Sequence, residues 1–126
     1  MKDDNPATTL EKIFHEPNRL AIMTSLCAAE SGLSFPELKQ LCNLTDGNLN
    51  RHLKVLSENQ VIRIKKQFID AKPRTTVSLS PNGLRRFQDY LLALEMVLQN
   101  ARAAIESVPQ AVPMKAGIKT GARARA

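Results

Sequence analysis

Residues 34–58 contain two short helical patterns separated by a turn of three to four residues, which restricts the fold to one in which two helices cross closely. The first pattern opens with the Ser34-Phe35-Pro36-Glu37 capping box and predicts a helix over residues 35–42. The second begins at Thr45 or Asp46 and predicts a helix over residues 46–58. Apolar residues at helical spacing should be buried on the two helices: Phe35, Leu38, Leu41, Leu49, Leu53 and Leu56. The segment is therefore a helix-turn-helix candidate.

The second of these helices carries polar residues opposite its leucines. Gly47, Arg51 and Lys54 should face outward, with Asn48 and Asn50 at the margins of that face. Arginine can read guanine and asparagine can read adenine in the major groove, so Asn48, Asn50 and Arg51 are candidate base contacts. Lys54 is a candidate phosphate contact, and Gly47 would let a DNA strand approach the start of the helix. A solvated surface helix is the alternative interpretation.

The histidines and cysteines do not indicate catalysis or metal binding. His52 lies near the core edge of the second helix, so packing and DNA contact are equally compatible with its position. His15 is expected to pack or cap, and neither histidine has a recognisable catalytic partner in the sequence. Cys27 and Cys42 lack a metal-binding spacing and are expected to be buried thiols in a reducing compartment. We expect no enzyme activity, no metal and no cofactor.

The positive charge of the chain is concentrated in two segments. Residues 48–86 carry 9 basic and 2 acidic side chains, and residues 107–126 carry 4 basic side chains and no acidic one. The remaining segments are mildly acidic. This distribution indicates a polyanionic partner such as double-stranded DNA, although an acidic protein surface would also fit.

After Glu58 the apolar period changes from 3.6 to 2, which predicts a β-hairpin over residues 61–79. Ile62, Ile64 and Phe68 share one side of its first strand, with Lys66 interrupting the apolar row. We expect residues 70–73 to form a turn longer than two residues with a basic tip. Four cations are candidate contacts to a flanking phosphate or minor groove: Arg63, Lys65, Lys72 and Arg74. Protection of an exposed strand edge by charge is the alternative.

Residues 81–106 predict one long helix, begun by Ser80 as cap and Pro81 at the first position. Its apolar residues alternate in steps of three and four, which is typical of a coiled-coil seam. The helix is longer than a small domain can cover, so we predict a homodimer interface, although packing on its own domain would leave the same pattern. The predicted interface residues are Leu84, Phe87, Leu91, Leu94, Leu98, Ala101 and Ile105.

In this order of elements the chain resembles the winged-helix transcription regulators of the MarR and ArsR type, especially the compact group without a separate sensor domain. The resemblance covers about residues 10–100. The segments that carry it are His15–Ile22, Ser34–Leu38, Leu44–Leu53, Lys72–Thr76 and Leu79–Gly83. It implies a fold that is mainly α with a small β-hairpin, and a homodimeric regulator that binds specific double-stranded DNA. We expect a repressor, with an activator as the alternative.

Two departures from the family pattern modify these expectations. Family members usually end the recognition helix with glycine where this chain has Gln60, so we expect Asn59 to take the left-handed conformation. The metal sensors use a Cys-x-Cys pair near the helix-turn-helix, whereas Cys42 stands alone, so metal sensing is not expected. An effector ligand is neither indicated nor excluded.

The sequence predicts one domain over residues 1–107 and a disordered basic tail over residues 108–126. The N-terminus is not a signal peptide, and the uncharged stretch Leu20–Ala29 is too short to cross a membrane, so we expect a cytoplasmic protein. Two other functions stay open at this point. One is an architectural DNA-binding protein without operator preference, and the other is a winged helix that docks on an acidic protein.

Overall fold

The computed structural model of the chain describes residues 5–109, so most of the predicted tail lies outside the described residues. Four α-helices and three strands follow in the order of a winged helix, which confirms the predicted fold class. A 3-10 helix over Pro6–Thr9 precedes them. The elements are α1 (Pro17–Cys27), β1 (Leu33–Ser34), α2 (Phe35–Cys42), α3 (Asp46–Glu58), β2 (Ile62–Ile69), β3 (Lys72–Leu79) and α4 (Pro81–Glu106).

Each α-helix begins where a side chain accepts a hydrogen bond from the backbone of the first turn. The capping residues are Glu16, Ser34, Thr45 and Ser80. Ser34 and Glu37 form the predicted capping box: the Ser34 N–H donates to Glu37 Oε1 at 2.8 Å, and the Glu37 N–H donates to Ser34 Oγ at 3.2 Å. The backbone donation from Ser34 lowers the pKa of the Glu37 carboxyl. Short local patterns therefore start both helices of the helix-turn-helix.

The segment before α1 is less helical than its apolar spacing suggests. Leu10, Ile13 and Phe14 have a spacing that would fit a short helix, but residues 12–16 form turns and bends, and α1 begins only at Pro17. Phe14 is nevertheless fully buried, with its ring centroid 5.3 Å from that of Phe87 and 5.6 Å from that of Tyr90. The Glu11 carboxylate also forms an ion pair with Arg86 at 2.6 Å. These contacts hold the N-terminal segment against α4.

The sheet has the strand order β1-β3-β2, and both pairs are antiparallel. β1 was not predicted, because two residues are too few to show a period. Asp70 and Ala71 alone join β2 to β3, with φ values of 53° and 63°. Positive φ at both central residues is the geometry of a tight type I′ hairpin turn, so the longer turn predicted over residues 70–73 is wrong.

The core takes apolar side chains from α1 to α4 and from the base of the sheet. The three leucines of α3 are buried as predicted, whereas Leu41 is 63 % exposed. Cys27, the last residue of α1, is exposed and Cys42 is half-buried, so the prediction that both cysteines are buried is wrong for Cys27. The fully buried large side chains are Phe14, Ile22, Met23, Leu38, Leu49, Leu56, Val61, Val77, Phe87 and Tyr90.

The end of α3 is joined to the start of α4. Gln60 takes the left-handed conformation with φ of 61°, whereas Asn59 has φ of −90°, so the expectation for Asn59 is wrong. The Gln60 carbonyl accepts hydrogen bonds from Ser80 Oγ at 2.8 Å and from Asn82 Nδ2 at 3.3 Å. These two bonds help to hold a side-chain-bearing residue in a conformation that glycine adopts more easily.

Candidate nucleic-acid interface

The outer face of α3 is open. Gly47, Asn50, Arg51 and Lys54 are exposed and Asn48 is half-buried, while the leucines of the opposite face are at most 4 % exposed. Within residues 5–109, the side chains of Asn50, Arg51 and Lys54 form no hydrogen bond or ion pair. Side chains without internal partners are available to an external ligand.

The start of α3 is also accessible. A Cβ added at Gly47 would meet no atom within 4 Å, so a ligand backbone can approach this turn closely. The Thr45 hydroxyl accepts from the Asn48 N–H at 3.2 Å, which satisfies one N–H group of the first turn. Lys39 Nζ lies 2.8 Å from the Asp46 carboxylate and offsets the only acid of that turn. Sequence reasoning did not identify Lys39, because its partner lies across the turn between α2 and α3.

His52 packs in the interior and is not placed to contact DNA, so its inclusion among the DNA-binding candidates is wrong. The residue is 6 % exposed, and its Nδ1 lies 3.3 Å from Arg19 Nη1 and 3.9 Å from Glu16 Oε1. Arg19 Nε in turn donates to the Ile13 carbonyl at 2.7 Å. Burial lowers the pKa of His52, more than the nearby Glu16 carboxylate raises it. His52 therefore links the recognition-helix candidate to α1.

His15 packs, as expected, but its partner lies far along the chain. Its Nδ1 is 2.8 Å from the Tyr90 hydroxyl, and the two rings are 5.9 Å apart between centroids. Burial raises the pKa of Tyr90. This pair belongs to the contact between the N-terminal segment and α4.

The register of the hairpin sorts its side chains between two faces. Lys66 pairs with Thr75. These two residues and Ile64 line a cleft of about 340 Å³ between the hairpin and α3, whose polar lining on the α3 side includes Asn50, Lys54 and Glu58. Side chains alternate along a strand, so Arg63 and Lys65 lie on the face away from this cleft. Lys66, which interrupts the apolar row of β2, is thus a cation on the α3 side.

The tip of the hairpin is not basic. Asp70 and Ala71 form the turn, while Lys72 pairs with Ile69 and Arg74 with Gln67 along the strands. Lys72 and Arg74 are exposed. The two cations are still available for phosphate contacts, but the turn itself consists of Asp70 and Ala71 and carries a negative charge.

α4 has a buried side and an exposed apolar side. Phe87 is 1 % exposed, so its prediction as a dimer contact is wrong, and Leu94 is half-buried against the core. Residues 98–109 are all exposed. A groove of about 670 Å³ on this helix is lined mainly by Leu91, Leu92, Leu94 and Leu98. The predicted interface residues that are exposed are Leu84, Leu91, Leu98, Ala101 and Ile105, and Leu92 and Met96 join them.

Residues 5–109 contain no group of three or more His, Cys, Asp or Glu side chains arranged to hold a metal ion. None of the helices in that range is both long and apolar enough to span a bilayer.

Comparison with known proteins supports the same type of fold. Residues 18–98 match the family described as "Winged helix DNA-binding domain". The uncharacterized protein MJ0432 of Methanocaldococcus jannaschii is 34 % identical over 89 residues, which are 71 % of this chain and 96 % of that protein.

Solved structures of other proteins share this fold. A transcriptional regulator homologue of Pyrococcus horikoshii OT3 is 27 % identical and superimposes with a TM-score of 0.71, covering 79 % of this chain and 98 % of its own. A protein assigned to the MarR family of transcriptional regulators, from Porphyromonas gingivalis W83, is 21 % identical with a TM-score of 0.55 and coverages of 86 % and 97 %. The second likeness concerns the fold alone.

Proposed function

Since the chain belongs to the winged-helix DNA-binding domain family, we propose that it acts in the cytoplasm as a homodimeric transcriptional repressor of the MarR and ArsR type. In this proposal the dimer binds a two-fold symmetric operator. The observation that carries this proposal is the outer face of α3. It presents exposed amide and cationic side chains without internal partners, on a helix anchored from behind by buried leucines. A rigid helix with free polar side chains suits the major groove.

Base reading is assigned to the first two turns of α3. Arg51 can donate two hydrogen bonds to guanine, and Asn50 and Asn48 can pair with adenine. Lys54 lies beside the cleft between α3 and the hairpin, where it can meet a phosphate. Gly47 allows a DNA strand to approach the N–H groups of the first turn.

The hairpin is the proposed wing. Lys66 faces the same cleft as Lys54, so a DNA backbone in the cleft would pass between two cations. Lys65, Lys72 and Arg74 are exposed and can add phosphate contacts from the sides of the hairpin. Arg63 lines a different depression, together with Glu30 and Leu84, and is the least favourably placed of the predicted wing contacts.

The exposed apolar side of α4 is the proposed dimer interface. A lone helix that extends beyond its own core leaves leucine side chains in water, and a second copy of the helix would bury them. Two-fold symmetry would then present two copies of α3 to half-sites about one helical turn, roughly 34 Å, apart along the duplex.

Selection of bound sequences from a random pool of duplexes tests the proposal directly. We expect enrichment of a symmetric site with two equivalent half-sites, bound by one dimer. Retention of duplexes without a shared sequence would instead favour an architectural protein. Failure to retain any duplex at about 0.1 M salt would favour docking on an acidic protein, because phosphate contacts dominate DNA affinity at that salt concentration.

A salt titration of binding, followed by fluorescence anisotropy, tests the residue assignments. Neutralising Lys72 and Arg74 together should weaken binding to every duplex and flatten the salt dependence. An unchanged slope would remove both residues from the proposed interface. The matched control is Arg63→Gln, which should leave the slope as it is.

A further inference from the structure

The hairpin carries an aromatic side chain that the assignments above do not use. Phe68 is 75 % exposed, which is the highest value among the large apolar side chains of residues 5–109. None of the ring contacts found within those residues involves it. An exposed phenyl ring on a strand near a turn gains little from its own domain and is available for burial by a partner.

Register places Phe68 on the α3 side of the hairpin. It pairs with Pro73, and it is two residues beyond Lys66, which lines the cleft beside α3. Residues two apart along a strand share a face. The row from the cleft outward is therefore Ile64, Lys66 and Phe68, with the aromatic ring farthest from the domain.

The charges around Phe68 identify the class of partner. Residues 62–79 hold five basic side chains and one acidic side chain, Asp70. The hairpin therefore has a net charge of +4, and Lys66 lies on the same face as Phe68. An apolar ring on a strongly basic hairpin fits a polyanion with an accessible apolar surface. The minor groove of duplex DNA offers one between its phosphate rows, where sugars and base edges can pack against an apolar side chain.

We propose that Phe68 packs into the minor groove next to the half-site read by α3, while Lys66 holds the phosphate row between the two grooves. The inference rests on the DNA-binding function proposed above and adds a non-ionic contact to it. Phe68 contributes affinity by removing apolar surface from water, and Lys66 contributes by releasing counterions. The two residues therefore differ in how their contributions respond to salt.

The experiment measures binding of the full chain to its selected duplex by fluorescence anisotropy at several potassium chloride concentrations. Phe68→Ala should weaken binding about tenfold at every concentration, because burial of a phenyl ring releases no ions. Lys66→Gln should instead lower the slope of log affinity against log salt by about 0.9. Phe68→Leu keeps an apolar wedge and should stay within about threefold of the wild type.

Ile69→Ala is the matched control. Ile69 is the neighbouring residue on the opposite face of the strand and is 40 % exposed, so its removal should change affinity by less than about twofold. All four variants alter exposed side chains, so thermal unfolding should show transitions close to that of the wild type.

Hydroxyl-radical footprinting locates the contact, because the radical attacks sugars from the minor groove. Phe68→Ala should lose protection at the flanking minor groove and keep it around the major groove occupied by α3. Unchanged affinity and footprint for Phe68→Ala, with the wild type bound, would overturn the inference and leave the proposed function intact. A wild-type chain that binds no duplex would overturn both.

Discussion

α3 and α4 are both amphipathic, but they leave opposite surfaces uncovered. The leucines of α3 are at most 4 % exposed, whereas Leu84, Leu91 and Leu98 of α4 are 41–44 % exposed. On α3 the chain covers the apolar side itself and leaves amide and cationic groups in water. On α4 the chain covers one side of the first half and leaves a second apolar stripe without cover.

The exposed surface of each helix determines which kind of partner it can bind. A polar face backed by a filled core can bind a polyanion without disturbing the fold. An apolar stripe gains most from another apolar surface, and a copy of the same helix supplies one with matching spacing. The two helices thus divide the proposed function into DNA reading and dimerisation.

The starts of the two helices provide the sharpest contrast. A Cβ at Gly83 in α4 would lie 1.8 Å from the Val61 carbonyl oxygen, whereas a Cβ at Gly47 in α3 meets nothing within 4 Å. Gly83→Ala should lower the free energy of unfolding by about 3 kcal/mol, because the backbone must shift. Gly47→Ala should raise it by about 0.5 kcal/mol. Urea denaturation measures both, and a loss of stability in Gly47→Ala would contradict an open α3 start.

Placing charge on the α4 stripe should separate the two functions. Leu91→Glu combined with Leu98→Glu should give a monomer in sedimentation velocity, because carboxylates would be buried in the dimer. Loss of the linked second half-site should then weaken operator binding by about 100-fold. Leu41→Glu is the control, since it places a carboxylate on an exposed leucine of α2 and should leave the dimer intact. A dimeric double variant would remove α4 from the interface.

Arg51 tests the polar side of α3. Arg51→Ala should weaken binding to the selected operator by about tenfold and reduce discrimination against a duplex altered at the contacted base pair. Lys54→Ala should weaken binding to both duplexes alike, because a phosphate contact carries no sequence information. Competition anisotropy with the two duplexes measures the difference. Equal losses for both variants on both duplexes would place Arg51 on phosphate.

His52 tests the buried edge of α3 through pH. Burial lowers its pKa in the folded state, so the unfolded chain binds a proton more readily. Its contribution to stability is therefore complete above the ordinary pKa near 6.5 and is lost as the pH falls toward the lowered value. As the pH is lowered, the urea concentration at the midpoint of unfolding should fall less steeply for His52→Gln than for the wild type. The salt slope of DNA binding should not change, and identical pH profiles would contradict the role given to His52.

Much of the fold followed from local signals. The capping box at Ser34, the caps at Thr45 and Ser80 and the change of period after Glu58 were correctly interpreted from sequence. These signals are local because a cap, a helical face and a strand each depend on residues only a few positions apart. The resemblance to MarR and ArsR regulators extended them to the order of elements, and the family match supports it.

The errors concern contacts between distant segments. Phe87 fits the α4 seam by spacing, yet Phe14 and Tyr90 enclose it in the core. The position of His52 on α3 is compatible with packing and with DNA contact, and only its contacts with Arg19 and Glu16 decide for packing. In the sequence Lys66 only interrupts an apolar row, whereas the structure places it in the lining of the cleft beside α3.

The sequence by itself determined where the helices and the hairpin lie, and that cations concentrate in the middle of the chain, because these properties depend on spacing and composition alone. Only the tertiary structure decided which side of α4 meets the core, which face of the hairpin borders α3, and that His52 is buried. Packing brings together residues far apart in the chain, such as Glu11 and Arg86. A periodic pattern shows which side of a helix or strand is apolar, but it does not show which other element packs against that side.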